Sequence, residues 1–176
     1  MTHHNDSNRG RWVREAAEQH EGALLRYATR ITGDLERGRD VVQDTFLKLC
    51  REDPTELDGR LAQWLYTVCR RGALDTHRKE KRMKTMTEEQ TVCELSREPD
   101  QAAQAEVRDT ADRVGEIMAG LSDNQQEVIR LKFQHGLSYR EISGVTELSV
   151  SNVGYLIHTG LAKIRQKLQV NSSGSS

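Results

Sequence analysis

Apart from Pro54 and Pro99, the 176-residue chain contains no proline, and long stretches of it are rich in Leu, Ala, Glu, Arg and Lys. Proline inside a helix removes a backbone donor and clashes with the preceding turn, so stretches free of it, built from good helix formers, can run as uninterrupted helices. No series of alternating apolar and β-branched residues suggests strands. The chain is expected to be all-α, with two small helical domains joined by a flexible acidic linker.

The first helix is expected from about Arg9 to Ile31, where Trp12, Val13, Ala16, Leu24, Tyr27, Ala28 and Ile31 recur at helical spacing. "TGD" interrupts the pattern, and Gly33 suits a helix C-cap. A second helix, about Leu35 to Arg51, turns Val41, Val42, Thr45, Phe46, Leu49 and Cys50 inward and Asp40, Gln43, Asp44 and Lys48 toward the other side. "EDPTELDG" reads as a loop. A third helix, about Arg60 to Lys84, has an apolar first half, "LAQWLYTVCRRGALD". Its second half, "THRKEKRMK", is basic and has almost nothing to bury. These helices define a first domain at 9–84, followed by the linker at 85–110 and a second domain at 111–170.

In the second domain, "ADRVGEIMAGL" is amphipathic through Val114, Ile117, Met118 and Leu121. Ser122 then caps a helix whose apolar contacts are Val128, Ile129, Leu131 and Phe133, and Gly136 stops it. Ser138 caps "YREISGVT" and Ser149 caps "VSNVGYLIHTGLAKIRQKL". The tail "NSSGSS" is expected to be disordered.

The net charge of −1 conceals a mosaic. Residues 60–84 carry eight Lys/Arg against two acids, whereas residues 85–112 carry eight acids against two Arg. A concentrated basic block points to a polyanionic partner. Cys50, Cys69 and Cys93 are far apart with no CxxC pair, which fits free thiols packed as small hydrophobes in a reducing cytosol. The polar start "MTHHNDSNRG" carries no secretory signal, and no apolar run is long enough to span a bilayer, so membrane insertion is not expected and the location is expected to be cytoplasmic. His20, His77, His135 and His158 are scattered, and no nucleophile–base pair, metal cluster or phosphate-cradling glycine loop is evident. The expectation is a protein that is not an enzyme and needs no cofactor or metal.

Two short helices joined by a tight turn, "LSYREIS" and "LSVSNVG", make a helix-turn-helix pattern. Leu137, Ile142, Val145, Leu148, Val150, Val153, Ile157, Leu161, Ile164 and Leu168 are its expected core positions. This leaves Ser151, Asn152, Tyr155 and His158 facing outward at the start of the second helix, which in such motifs enters the DNA major groove. Short polar side chains there bond base edges and phosphates, helped by the positive helix terminus. Lys163, Arg165 and Lys167 are placed for phosphates. An ordinary helical bundle without nucleic acid stays open on this pattern alone.

"ALLRYATRITGD", "DVVQDTFLKLC", "LAQWLYTVCRRGALDTHRKEKR" and "LSDNQQEVIRLKFQHGLSYREISGVTELSVSNV" occur in this order. Together they resemble a bacterial RNA polymerase sigma factor of the small, extracytoplasmic function type, over about residues 10–168. The resemblance implies a dissociable polymerase subunit that directs core enzyme to specific promoters and helps melt the −10 region. It implies that Asp40, Gln43, Asp44 and Leu47 dock on the clamp coiled coil of the largest core subunit. It implies that Arg60, Arg70, Arg71, Arg78, Lys79 and Arg82 hold melted −10 DNA. A base flipped from the stack needs a flat wall, and Trp64 and Tyr66 are candidates, although Trp64 within "AQWLY" also reads as core. The helix-turn-helix would read the −35 element through Arg140, Ser149, Ser151, Asn152, Tyr155, His158, Lys163 and Arg165, and would contact the flap of the second-largest subunit. An anti-sigma protein is a further implied partner. The six residues after Val170 are too few for a regulatory extension, so none is expected.

The chain departs from the common pattern of such factors at several positions. Arg71 stands where many carry Asn, Glu147 stands in the turn where Gly is usual, and Gly154, Leu156 and Thr159 stand where Lys or Arg often fall. The second helix of the motif is therefore less basic, with an apolar spot at Tyr155 and Leu156 that suits either promoter contact or a protein partner. Two other functions stay open. A free-standing DNA-binding regulator explains residues 121–168 but not "DVVQD" or the basic third helix. A helical adaptor would bind polymerase or a regulator without directing initiation.

Overall fold

A computed structural model describes residues 3–86 and 115–173. All the regular elements in these residues are helices. They fall into two compact units, 1–96 and 97–176. The acidic linker, the first residues of the second domain, Cys93 and Val114 lie outside the described residues.

The first unit packs α1 (His3–Thr32), α2 (Leu35–Leu49) and α3 (Leu61–Met86) against one another. Helix α1 begins six residues earlier than its apolar pattern suggests, because polar residues extend a helix without needing a core. It ends where Gly33 adopts φ +73° and its N–H reaches the Thr29 carbonyl at 2.8 Å. Asp34 then caps α2, its carboxylate accepting from the Arg37 N–H at 2.9 Å. At Gly38 a Cβ would lie 3.0 Å from the Thr29 backbone nitrogen, so only glycine lets α1 and α2 approach this closely. Leu24, Tyr27 and Ala28 of α1, Val41, Val42 and Leu49 of α2, and Leu65, Tyr66, Cys69 and Ala73 of α3 form the core, with Leu57 of the connecting loop closing one side. The Tyr27 and Tyr66 rings meet edge to face, centroids 5.3 Å apart. Truncating the fully buried Leu24 to Ala would cost about 2–5 kcal/mol.

Several expectations for this unit are corrected. Cys50 is exposed, because α2 ends at Leu49 and the chain turns away from the core there. Cys69 does pack as a hydrophobe, and burial pushes its thiol up to about 12, so it is inert at neutral pH. Tyr66 is 2 % exposed and lies against Tyr27, so it offers no wall to a flipped base.

In the second unit a helical stretch at 115–119 precedes α4 (Asp123–Phe133), α5 (Tyr139–Thr146) and α6 (Val150–Ser173). Ser122 and Ser138 each form a capping box, the first with Gln125 and the second with Glu141, which sets the starts of α4 and α5. The Ser149 hydroxyl accepts from the Asn152 N–H at 3.2 Å and starts α6. Val128, Ile129 and Leu131 of α4, Leu137, Ile142 and Val145 around α5, and Val153 and Ile157 of α6 make the core, with Ile117, Met118 and Leu121 added from the preceding segment. The turn between α5 and α6 passes through Glu147 at φ +63°, the left-handed conformation that glycine adopts without cost.

Three residues expected in this core are exposed: Phe133 at 61 %, Val150 at 47 % and Leu168 at 43 %. Phe133 is one turn beyond the buried Ile129 and so on its side of α4, but it is the last residue of that helix and stands at its exposed end. Val150 is the first residue of α6 and precedes the turn that meets α5. Leu168 lies on the part of the 24-residue α6 that outruns the 11-residue α4. The tail is expected to be disordered from Asn171, but α6 continues through Ser173, and residues 174–176 lie outside the described residues.

Candidate functional site

The outer side of α2 collects Asp40, Gln43, Asp44 and Leu47, all exposed, Leu47 by 60 %. Asp44 is bridged along the helix by Lys48 at 2.7 Å. Beside this face runs a groove of about 560 Å³ between α1 and α2. Leu25, Val42, Phe46 and Leu47 supply apolar lining, Glu21, Glu36 and Asp40 supply acidic groups, and Arg39, paired with Glu36 at 2.5 Å, supplies one cation. Of the four predicted residues, Asp40, Gln43 and Leu47 line the groove and Asp44 stands outside it. The α1 wall of Ala17, Glu21 and Leu25 was not among the predicted residues, although its spacing of four marks one helix face in the sequence.

On α3 the side opposite the core is a cationic stripe. Arg71, Arg78 and Arg82 follow one another at helical steps of seven and four and are all exposed, with Lys79 beside them. Trp64, seven residues before Arg71, continues the same stripe and is half-buried. Arg78 lies 3.9 Å from Asp75, too far for a firm ion pair at this exposure. Two predicted residues belong less clearly to the stripe. Arg70 is half-buried and lies one residue round the helix from Arg71. Arg60 precedes α3, and its Nε donates to the Glu56 carbonyl at 2.9 Å, holding it to the loop.

On α6, Ser151, Asn152, Tyr155 and His158 are all exposed, Tyr155 by 65 %. No Lys or Arg occurs on α6 before Lys163, so this face is polar and aromatic rather than cationic. Leu156 is half-buried, which leaves Tyr155 as the apolar spot. Ser149 spends its hydroxyl on the cap. Lys163 donates to the Gln125 side chain at 3.3 Å, and Gln125 in turn donates to Thr159 at 3.0 Å, so these residues tie α6 to α4. Arg165 and, on the first turn of α5, Arg140 are exposed. Tyr139 was not among the predicted residues. Its ring lies where a Cβ on Gly154 would meet it at 3.7 Å, with Lys132 Nζ 5.4 Å from the ring centroid, and it joins the surface around the start of α6. Only the closeness of Gly154 to α5 points to it, and that is invisible in the sequence of α5.

Among the described residues, no group of three or more His, Cys, Asp or Glu is placed to hold a metal. No described helix is long and apolar enough to cross a membrane.

Comparison with known proteins matches two family models in tandem, Sigma-70 region 2 over residues 16–83 and Sigma-70, region 4 over residues 111–164. The chain is 29 % identical over 163 residues to the ECF RNA polymerase sigma factor SigL of Mycobacterium tuberculosis, covering 89 % of both chains. It is 26 % identical over 148 residues to the ECF RNA polymerase sigma factor RpoE of Cereibacter sphaeroides, covering 84 % of this chain and 79 % of that one. Its fold resembles the sigma factor RpoE solved in complex with the anti-sigma factor NepR from Bartonella quintana, with a TM-score of 0.70, 20 % identity and coverage of 89 % and 96 %. It also resembles CnrH solved in complex with the cytosolic domain of CnrY, with a TM-score of 0.60, 24 % identity and coverage of 94 % and 92 %. With both sigma-70 regions present in order and relatives aligned along most of its length, this chain belongs to the extracytoplasmic function sigma factors of RNA polymerase.

Proposed function

We propose that the chain acts as the dissociable promoter-specificity subunit of RNA polymerase, with its three outward faces dividing the work. The α2 face of Asp40, Gln43, Asp44 and Leu47 docks on basic side chains of the clamp coiled coil of the largest core subunit, with Leu47 packing alongside. The α3 stripe of Arg71, Arg78, Lys79 and Arg82 holds the backbone of melted −10 DNA, with Trp64 at its end for stacking. Asn152, Ser151 and Tyr155 read base edges of the −35 element in the major groove, with Arg140 on phosphate. Sigma factors are non-catalytic, so the chemistry of RNA synthesis stays with the core enzyme, and the factor works in the cytoplasm where that enzyme is.

The observation that carries this reading is the pairing of opposite faces on one unit. An α2 face of exposed Leu47 with Asp40, Asp44 and Glu36, two of these acids bridged by Lys48 and Arg39 of the same helix, suits a protein partner with basic side chains, and a cationic stripe on α3 suits a polyanion. A free-standing DNA-binding regulator has no use for the first. The direct test is the affinity of purified core polymerase for Asp44→Lys. At least a tenfold loss is expected, with the helical circular dichroism and melting temperature of the free protein unchanged. Wild-type affinity for core would remove the docking assignment.

The bare Tyr155 on a helix start without Lys or Arg favours a second use of that face, contact with an inhibitory protein. The two solved relatives were each captured with a partner protein, one of them named as an anti-sigma factor. A partner of that class is proposed here also.

A further inference from the structure

We infer that Glu80 is a positioning residue that clasps the DNA-holding half of α3 to the N-terminal turn of the polymerase-docking helix α2. This inference rests on the division of labour proposed above.

Glu80 is out of place by composition. It stands between Lys79 and Lys81, inside the most basic stretch of the chain, where a carboxylate near a polyanion is repulsive. Its direction resolves the conflict. Glu80 is nine residues beyond Arg71 and two before Arg82, which sets it on the side of α3 opposite the cationic stripe. Its side chain is only 17 % exposed and is ion-paired with Arg37 of α2. At the partner end the Asp34 cap binds the Arg37 backbone N–H at 2.9 Å, and the Arg37 side chain is 42 % exposed.

The pair also lies past the last fully buried residue of α3, one turn beyond the half-buried Thr76 and His77. Ala73 is the last buried apolar residue of α3 among the described side chains. Just before it, a Cβ on Gly72 would come within 3.3 Å of Val41, marking the close approach of α2 and α3. Beyond that approach Arg78, Lys79 and Arg82 have no apolar anchor of their own, and Thr76 bonds back to its own helix at Gly72. Arg37 precedes Val41 by one turn on α2, so Arg37–Glu80 extends the α2–α3 contact past the last core layer. The buried Leu65, Tyr66, Cys69 and Ala73 set the rotation of α3, and Glu80, on the same side as they are, holds the basic end of the helix in that orientation with the Arg71–Arg82 stripe outward.

A carboxylate that is only one charge among many and a carboxylate that positions the helix predict opposite results. Removing a mere negative charge from a basic patch strengthens DNA holding. Removing the clasp weakens it. The test uses holoenzyme assembled from core polymerase and the full chain on a promoter that the wild-type factor melts. It reads open complexes by permanganate reactivity of −10 thymines, and core affinity on the same preparations. Glu80→Gln and Arg37→Ala are each expected to lower open-complex formation about tenfold with core affinity within about twofold of wild type. The exchanged pair, Arg37→Glu with Glu80→Arg, is expected to recover most of that loss. Wild-type or enhanced melting by Glu80→Gln overturns the inference, as does an exchanged pair no better than the single variants. So does a parallel loss of core affinity and melting, which would make the pair a general fold contact. Failure of the wild-type factor to bind core or melt any promoter would refute the proposed function itself, a result separate from all of these.

Discussion

The outer faces of α3 and α6 are both expected to meet DNA, yet they are built from different chemistry. The α3 face repeats guanidinium groups at Arg71, Arg78 and Arg82, whereas the α6 face presents Ser151, Asn152, Tyr155 and His158 and reaches its first lysine only at Lys163. Even that lysine is turned toward Gln125. Melted DNA presents flexible phosphates, so charge is the useful contact there, and its strength falls steeply with salt. Duplex DNA presents base edges at fixed positions, so a few neutral donors and a ring discriminate sequence with little dependence on salt. On the proposed division of labour, one face holds and the other reads.

The largest expected effect tests the holding face. Replacing Arg71, Arg78 and Arg82 together by Ala should weaken holoenzyme binding to a promoter bubble roughly a hundredfold at low salt and reduce the salt slope by about 2, at about 0.7 per single-strand phosphate contact. Equilibrium titrations across a salt series measure both. A slope unchanged by the triple replacement would place these side chains in solvent only.

A smaller effect is expected on the reading face. Asn152→Ala should relax preference at one base pair of the upstream element, by about 1–3 kcal/mol, and leave the salt slope as it was. Selection of bound sequences from a randomised −35 library, compared between wild type and variant, shows which position loses its preference. A uniform loss at every position would make Asn152 a backbone contact. Tyr155→Lys converts reading toward holding. It should raise affinity for duplex DNA a few-fold at low salt and steepen the salt slope by about 0.9, and an unaltered slope would mean that this residue faces a protein instead.

The turn that aims α6 carries the smallest effect. Glu147 holds a left-handed conformation that costs a non-glycine residue free energy, so Glu147→Gly should raise the stability of the protein by about 0.5–1 kcal/mol in urea unfolding with base preference unchanged. Destabilisation would show that the Glu147 side chain contributes more than its backbone costs.

How far the sequence could be read follows the same division. The helices and their caps were legible, because Ser122, Ser138 and Ser149 precede apolar residues at helical spacing and act locally. The cationic stripe was legible as a charge block. What was not legible depended on rotation and on partners distant in sequence. Tyr66 reads as readily as a stacking surface as it does as core until Tyr27 is seen against it. Cys50 and Phe133 sit at helix ends, where one or two residues decide between inside and outside, and periodicity does not locate ends that finely. Lys163 reads as a phosphate contact, and its bond to Gln125, 38 residues away, appears only on folding. The groove beside α2 was half legible. Its α2 wall lies in "DVVQDTFLKLC", but the opposing wall of Ala17, Glu21 and Leu25 needs the packing of α1.

The most direct test of the central claim is transcription in vitro from a fragmented genomic library by purified core polymerase, with and without this protein. The account predicts new discrete start sites that share two spaced upstream motifs, appearing only when the protein is present. Binding to core without any new start site would contradict it and make the protein an adaptor that docks through α2 without directing initiation.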